Sequence, residues 1–146
     1  MCLPTLVTNP ELEIASYNLE GYDCVIIHNG IGYLCGYIRV SSGHPWYQMD
    51  YASVDVEVHC GLTFAEADMP CDKAGPDNGW WLGFNCAHAC DAPNPKLLFD
   101  KETLITLDHF ARGAIRTEDY VRVEIAALVS QAQAAKIKMP QTKQPQ

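Results

Sequence analysis

Tyr22-Asp23-Cys24-Val25-Ile26-Ile27-His28, then Asn29-Gly30, then Gly32-Tyr33-Leu34-Cys35-Gly36-Tyr37-Ile38-Arg39-Val40, is the stretch that decides the fold. Both long runs are rich in β-branched and aromatic residues, which pack well on a pleated surface. Asn-Gly between such runs is a strong hairpin signal, because both residues tolerate positive φ. A β-hairpin is therefore expected over about 22–40. Further along, Val54, Val56 and Val58 alternate with Asp55, Glu57 and His59, the period of a half-buried strand. This pattern predicts a strand with its valines toward the core and an Asp-Glu-His row outward, ended or bulged at Gly61. Trp80-Trp81-Leu82-Gly83-Phe84-Asn85-Cys86 predicts another strand. Successive strand residues point to opposite faces, so one of Trp80 and Trp81 belongs to the core and the other lines a surface or cleft.

The segments around these strands are less regular. The N-terminal part to about Glu20 is mixed, with Asn9-Pro10 as a turn signal. Residues 41–52, with Gly43 and Pro45, are expected to form a loop, and the polar stretch 66–79, with Pro70, Gly75, Pro76 and Gly79, a mobile one. After Pro93 and Pro95 the stretch 96–115 is ambiguous between a short strand and a helical turn. Thr117 then suits a helix N-cap, and Glu118 and Asp119 suit the positive end of the dipole. Val121, Ile125, Leu128, Val129 and Ala132 recur at helical spacing, which predicts an amphipathic helix over 118–135. The expected architecture is α+β, a twisted antiparallel sheet with one long C-terminal helix packed on it. Residues 1–135 form one globular domain, and the Pro- and Gln-rich residues 136–146 form a disordered tail.

Composition narrows the function classes. The chain has 146 residues, 48% of them apolar and 19% charged, enough for one core. Its formal net charge is −8, and because Lys136, Lys138 and Lys143 follow the last acid, residues 1–135 carry −11. Such a surface repels phosphate backbones, which argues against direct nucleic-acid binding and leaves docking on a basic protein groove open. The sequence has no apolar run long enough to span a membrane and no signal-peptide start, so a cytoplasmic location is expected. Seven cysteines, an odd count without an export signal, are expected to be free and mostly buried thiols. GxxxxGK[ST], GxGxxG after a strand, GxSxG and HExxH are all missing, which disfavours the enzyme classes they mark.

Three constellations remain. His44, His59, His88 and Asp91, with Asp50, Asp55 and Glu57 near them in sequence, are the catalytic candidates. A histidine held by a carboxylate can act as acid, base or metal ligand. In a hydrolase His59 or His88 would be the general base, and Asp91 would orient an imidazole or ligate metal. The competing reading, at even odds, has these side chains pinning loops. Cys86, His88 and Cys90 fall at i, i+2 and i+4, where a strand face could converge them on zinc with His59, Cys60 or Cys71. That spacing departs from the paired ligands of structural zinc sites, so inert thiols are the better expectation. Trp46, Tyr47, Tyr51, Trp80 and Trp81 are the aromatic set. Most fill a small core, and Trp46, in a Gly/Pro loop, is the one expected to reach a ligand or partner. The binding candidates are Trp46, Tyr47, Asp55, Glu57 and Trp81.

Gly43-His44-Pro45, His59-Cys60-Gly61-Leu62-Thr63 and Trp80-Trp81-Leu82-Gly83-Phe84-Asn85-Cys86-Ala87-His88 with Asp91 resemble the motifs of a family of small bacteriophage and bacterial proteins. The likeness spans about residues 30–92 and the closing helix. Relatives of this kind carry Gly at the positions of Cys60 and Cys90 and Asp at that of Asn85, which implies that neither cysteine belongs to the shared site. The resemblance implies an accessory or anti-defence role, and the acidic charge and loop aromatics point to binding a host protein or capturing a small ligand through the 41–52, 66–79 and 85–92 loops. A small His/Asp-dependent, metal-assisted hydrolase is the alternative. Oligomeric state is not readable from the sequence.

Overall fold

A computed structural model of the chain describes residues 12–68, 79–88, 90–94 and 113–138. Five strands, β1 (Glu13–Leu19), β2 (Tyr22–His28), β3 (Leu34–Ser41), β4 (Phe64–Ala67) and β5 (Gly79–Asn85), form an antiparallel sheet in the order β1-β2-β3-β5-β4. Two residues each from β6 (Asp91–Ala92) and β7 (Ala114–Ile115) make a small parallel pair. Helix α1 (Glu118–Ile137) packs on β3 and β2. The fold is α+β, with the long C-terminal helix on the sheet.

The hairpin read from the sequence is β2–β3, in register from Cys24 opposite Ile38 to His28 opposite Leu34. Asn29 shapes its connection by accepting from the Ile31 and Tyr33 N–H groups through Oδ1 (3.0 and 3.2 Å). Strand β1 is added to it through Glu20-Gly21, both at positive φ (53° and 89°), the backbone of a tight hairpin turn. The mixed composition of 13–19 hides this strand because it lies at the sheet edge and buries little.

Alternation along the strands gives the sheet two apolar faces. Cys24, Ile26, Ile38, Val40, Leu82 and Phe84 meet Val121, Ile125, Leu128, Val129 and Ala132 of α1 in the main core. All five helix positions predicted from spacing are buried, and each large one is worth about 1.5–3 kcal/mol relative to exposure. Gly36 makes the close approach possible, since a Cβ there would lie 2.7 Å from the Phe84 ring and 3.0 Å from Val121 Cγ1. On the other face Val25, Ile27, Cys35, Tyr37 and Trp81 form a second cluster. Thr117 caps α1 as expected, its Oγ1 accepting from Tyr120 N–H at 3.1 Å.

Several expectations are corrected. Residues 54–58 belong to no strand. Their partner is α1, where Gln131 accepts from Glu57 N–H and donates to Glu57 O, both at 2.7 Å. The valines do turn inward, yet His59 is buried rather than outward, because the chain turns at 59–60 and Cys60 takes φ 54°. The stretch 66–79 begins inside β4 and ends at β5, and its residues 69–78 lie outside the described ones, as do 95–112 of the ambiguous stretch. The tail does not start at 136: α1 runs to Ile137, and 139–146 lie outside the described residues. No helix among the described residues is long and apolar enough to cross a membrane.

Candidate functional site

Three of the four catalytic candidates meet at the N-terminal end of α1. His59 comes from the 59–60 turn, His88 from the connection after β5, and Asp91 from β6. His59 Nε2 lies 2.9 Å from Asp91 Oδ2, and His59 Nδ1 lies 2.7 Å from the Tyr120 hydroxyl in the first turn of α1. Facing a carboxylate, Nε2 carries the proton and donates; in the neutral ring Nδ1 then accepts from the Tyr120 O–H. Asp91 is 2% exposed. Its Oδ1 accepts from Arg116 Nε at 2.8 Å, and its Oδ2 also accepts from the His88 backbone N–H at 3.0 Å. Burial alone would raise the Asp91 carboxyl, but Arg116, His59 and the His88 N–H together hold it below the ordinary carboxylate range. Arg116 reaches back over the Tyr120 ring, 4.8 Å from its centroid. Burial in turn pushes the Tyr120 hydroxyl upward.

This arrangement orients His59 firmly and leaves neither ring nitrogen vacant. Asp91 is saturated as well, with bonds at both oxygens. Such a network rigidifies the turn, β6 and the helix start against one another. Tyr120 and Arg116 went unnoticed in the sequence because one reads as a helix-surface aromatic and the other sits in a stretch without periodicity.

His44 is elsewhere. It is buried at the other end of α1, where Nδ1 accepts from Trp46 N–H (3.0 Å) and Nε2 therefore donates to Ala132 O (2.8 Å). Ala132 and Tyr120 are twelve residues apart on the helix, about 18 Å at 1.5 Å per residue. Burial depresses His44, only partly offset by the Ala132 carbonyl. Trp46, expected to reach outward, is buried against the His44 ring, 5.1 Å between centroids. Trp81 is fully buried; Trp80 is half-buried against the main core and donates to Met49 O at 2.9 Å. Tyr47 is half-buried, and Asp55 and Glu57 are exposed on the 54–58 segment.

The thiols divide into two kinds. Burial pushes Cys24 and Cys86 up to about 12 and Cys35 to about 11, which suits inert core residues. Cys60 and Cys90 are exposed, with sulfurs 3.9 Å apart. The Cys86, His88, Cys90 convergence that a strand face could have made does not form, because β5 ends at Asn85 and Cys86 turns into the core as an inert thiol, the outcome expected of it. Cys90 meets Cys60 and His59 instead.

A further polar knot holds the sheet's opposite margin. Asp68 accepts from Arg39 Nε and Nη2 (2.9 and 2.8 Å), Gly79 N–H (2.8 Å) and the Trp81 indole N–H (2.8 Å). Burial opposes ionisation there, but Arg39 and these donors hold the Asp68 carboxyl below its usual range.

Beside the His59 cluster lies a cleft of about 470 Å³, lined by apolar Cys35, Tyr37, Phe64 and Phe84 and polar Asn29, Thr63, Asn85 and His88. His88 Nε2 is buried and, among the described residues, has no hydrogen-bond partner. Comparison of the chain with protein-family models, curated proteins and solved structures returned no match.

Proposed function

We propose that this chain is an accessory binding protein that captures a small ligand in the cleft beside His88. The observation that carries the reading is the buried, unpartnered His88 Nε2 at a cleft of about 470 Å³. Buried polar atoms are nearly always bonded, so one left over next to a ligand-sized space marks a place for a ligand atom. The Phe64 ring with polar Asn29, Thr63, Asn85 and His88 around the same cleft suits a flat heterocycle with a hydrogen-bonding edge, such as a free nucleobase or nucleoside. The net charge of −8 disfavours phosphorylated forms. An anti-defence protein of the phage type would act in the host cytoplasm by withdrawing such a molecule, with no nucleic-acid polymer or membrane involved.

Proton NMR titration with free bases, nucleosides and the matching nucleotides tests this. Neutral ligands are expected to shift the ring protons of His88 and of Phe64 in the cleft wall, nucleotides to do so more weakly, and His88→Ala to abolish the Phe64 response while leaving the melting temperature unchanged. No shift at millimolar ligand, or the same Phe64 shift in His88→Ala, overturns the reading.

The 2.9 Å His59–Asp91 contact favours a second reading, a His/Asp-dependent, metal-assisted hydrolase. It ranks lower because His59 would have to give up the Tyr120 hydroxyl on its unprotonated nitrogen to take a proton, whereas His88 Nε2 has no bond among the described residues to give up. Ester or amide hydrolysis lost in His59→Asn and in Tyr120→Phe would put it first.

A further inference from the structure

Outside the cleft, three groups of metal-binding chemistry converge. One ring nitrogen of His59 and the sulfurs of Cys60 and Cys90 all lie within 4.8 Å of one another, and both cysteines are exposed. The two sulfurs are 3.9 Å apart. A disulfide requires about 2.05 Å, so that pair would have to close by roughly half. In a tetrahedral zinc site with Zn–S near 2.3 Å, two thiolates stand about 3.8 Å apart, the edge of the tetrahedron. The observed spacing thus fits two ligands of one ion far better than a half-formed bond.

The supporting groups fit as well. His59 is bonded at both nitrogens, to Asp91 and to Tyr120. Whichever nitrogen ligates gives up its partner, and the other bond keeps the ring aimed, as outer-shell hydrogen bonds do for metal-bound histidines. The ligands come from two chain segments, 59–60 and 90, already held together by the Asp91 network. Little ordering remains to be done when the ion arrives.

We infer that His59, Cys60 and Cys90 form a three-ligand site for a borderline-soft divalent cation of the zinc type, with a fourth position open to water. The site does not rest on the ligand-capture reading, and its test does not involve His88.

The test uses the full chain, stripped with chelator and kept in a non-thiol reductant. Co²⁺ is titrated in and followed by thiolate-to-cobalt charge transfer and visible d–d absorption; Zn²⁺ is then added as competitor. One equivalent of Co²⁺ with tetrahedral absorption, displaced by Zn²⁺, is expected. Cys60→Ala and Cys90→Ala are each expected to lose the charge-transfer band at the same Co²⁺ concentration. Both side chains are exposed, so the apo variants should keep the wild-type circular dichroism; the Ser variants serve if either does not fold. Absence of Co²⁺ uptake at micromolar concentration overturns the site. So does a band that survives in the Cys60→Ala/Cys90→Ala chain, which would assign the binding to other thiols.

Discussion

The two ends of α1 each hold a buried histidine, and the difference between them separates scaffold from candidate chemistry. His44, at the C-terminal end, bonds only to main-chain atoms, Trp46 N–H and Ala132 O. Its tautomer is fixed, no titratable side chain bonds to it, and its effect is to tie the 41–52 loop to the helix. His59, at the N-terminal end, bonds only to side chains that can change state, Asp91 and Tyr120, and stands among two exposed thiols. Burial alone therefore says little about a histidine's role. What its two nitrogens face says much more.

The contrast can be broken from either end. Asp91→Ala carries the largest expected effect, about 3–5 kcal/mol, since it leaves the buried His59 ring N–H and the His88 N–H without their shared acceptor. Urea unfolding measures it, and a loss under 1 kcal/mol would mean that the network contributes little to folding. His44→Ala should cost less, about 1–3 kcal/mol for two unpaired backbone groups, and should leave Co²⁺ binding intact.

The pH dependence sharpens the same comparison. A buried histidine with a depressed folded value favours the neutral form. The His44 contribution is thus complete above the unfolded value of about 6.5 and falls away as pH drops below it. Asp68 and Asp91 are also depressed, so their contributions are complete above about 3.9, the unfolded carboxylate value, and disappear as pH falls through their folded values. Stability should therefore decline in two stages, and His44→Ala should remove only the upper one. A single acid stage in the wild-type chain would contradict the assignment to His44. The smallest effect belongs to Thr117→Ala, about 1 kcal/mol, from loss of the cap on the end of α1 that carries Tyr120.

The sequence made the hairpin and the helix legible because each depends on a periodic pattern lasting several turns or pairs. It misread 54–58, where alternation was real but the backbone partner is a glutamine on α1 rather than another strand. A period of two reports that a segment has a buried and an open side; it does not say what pairs with its edges. For the site, His59, His88 and Asp91 were visible by residue type, whereas Cys60 and His59 with Cys90 were only one of several thiol sets the sequence offered, because thirty residues separate the cysteines and no short spacing singles them out. Trp46 misled for a related reason: Gly43 and Pro45 mark a loop, but a loop laid on the helix end can bury its largest side chain.

The clasp made by Arg39, Asp68 and Gly79 has a consequence for how this chain tolerates change. It fastens the last residue before the 69–78 segment to the first one after it, and Gly79 has no room for a side chain because Arg39 lies over it. The open end of the β4–β5 pair is thus locked by side-chain bonds as well as by the ladder, so its register is held where the two strands would otherwise fray.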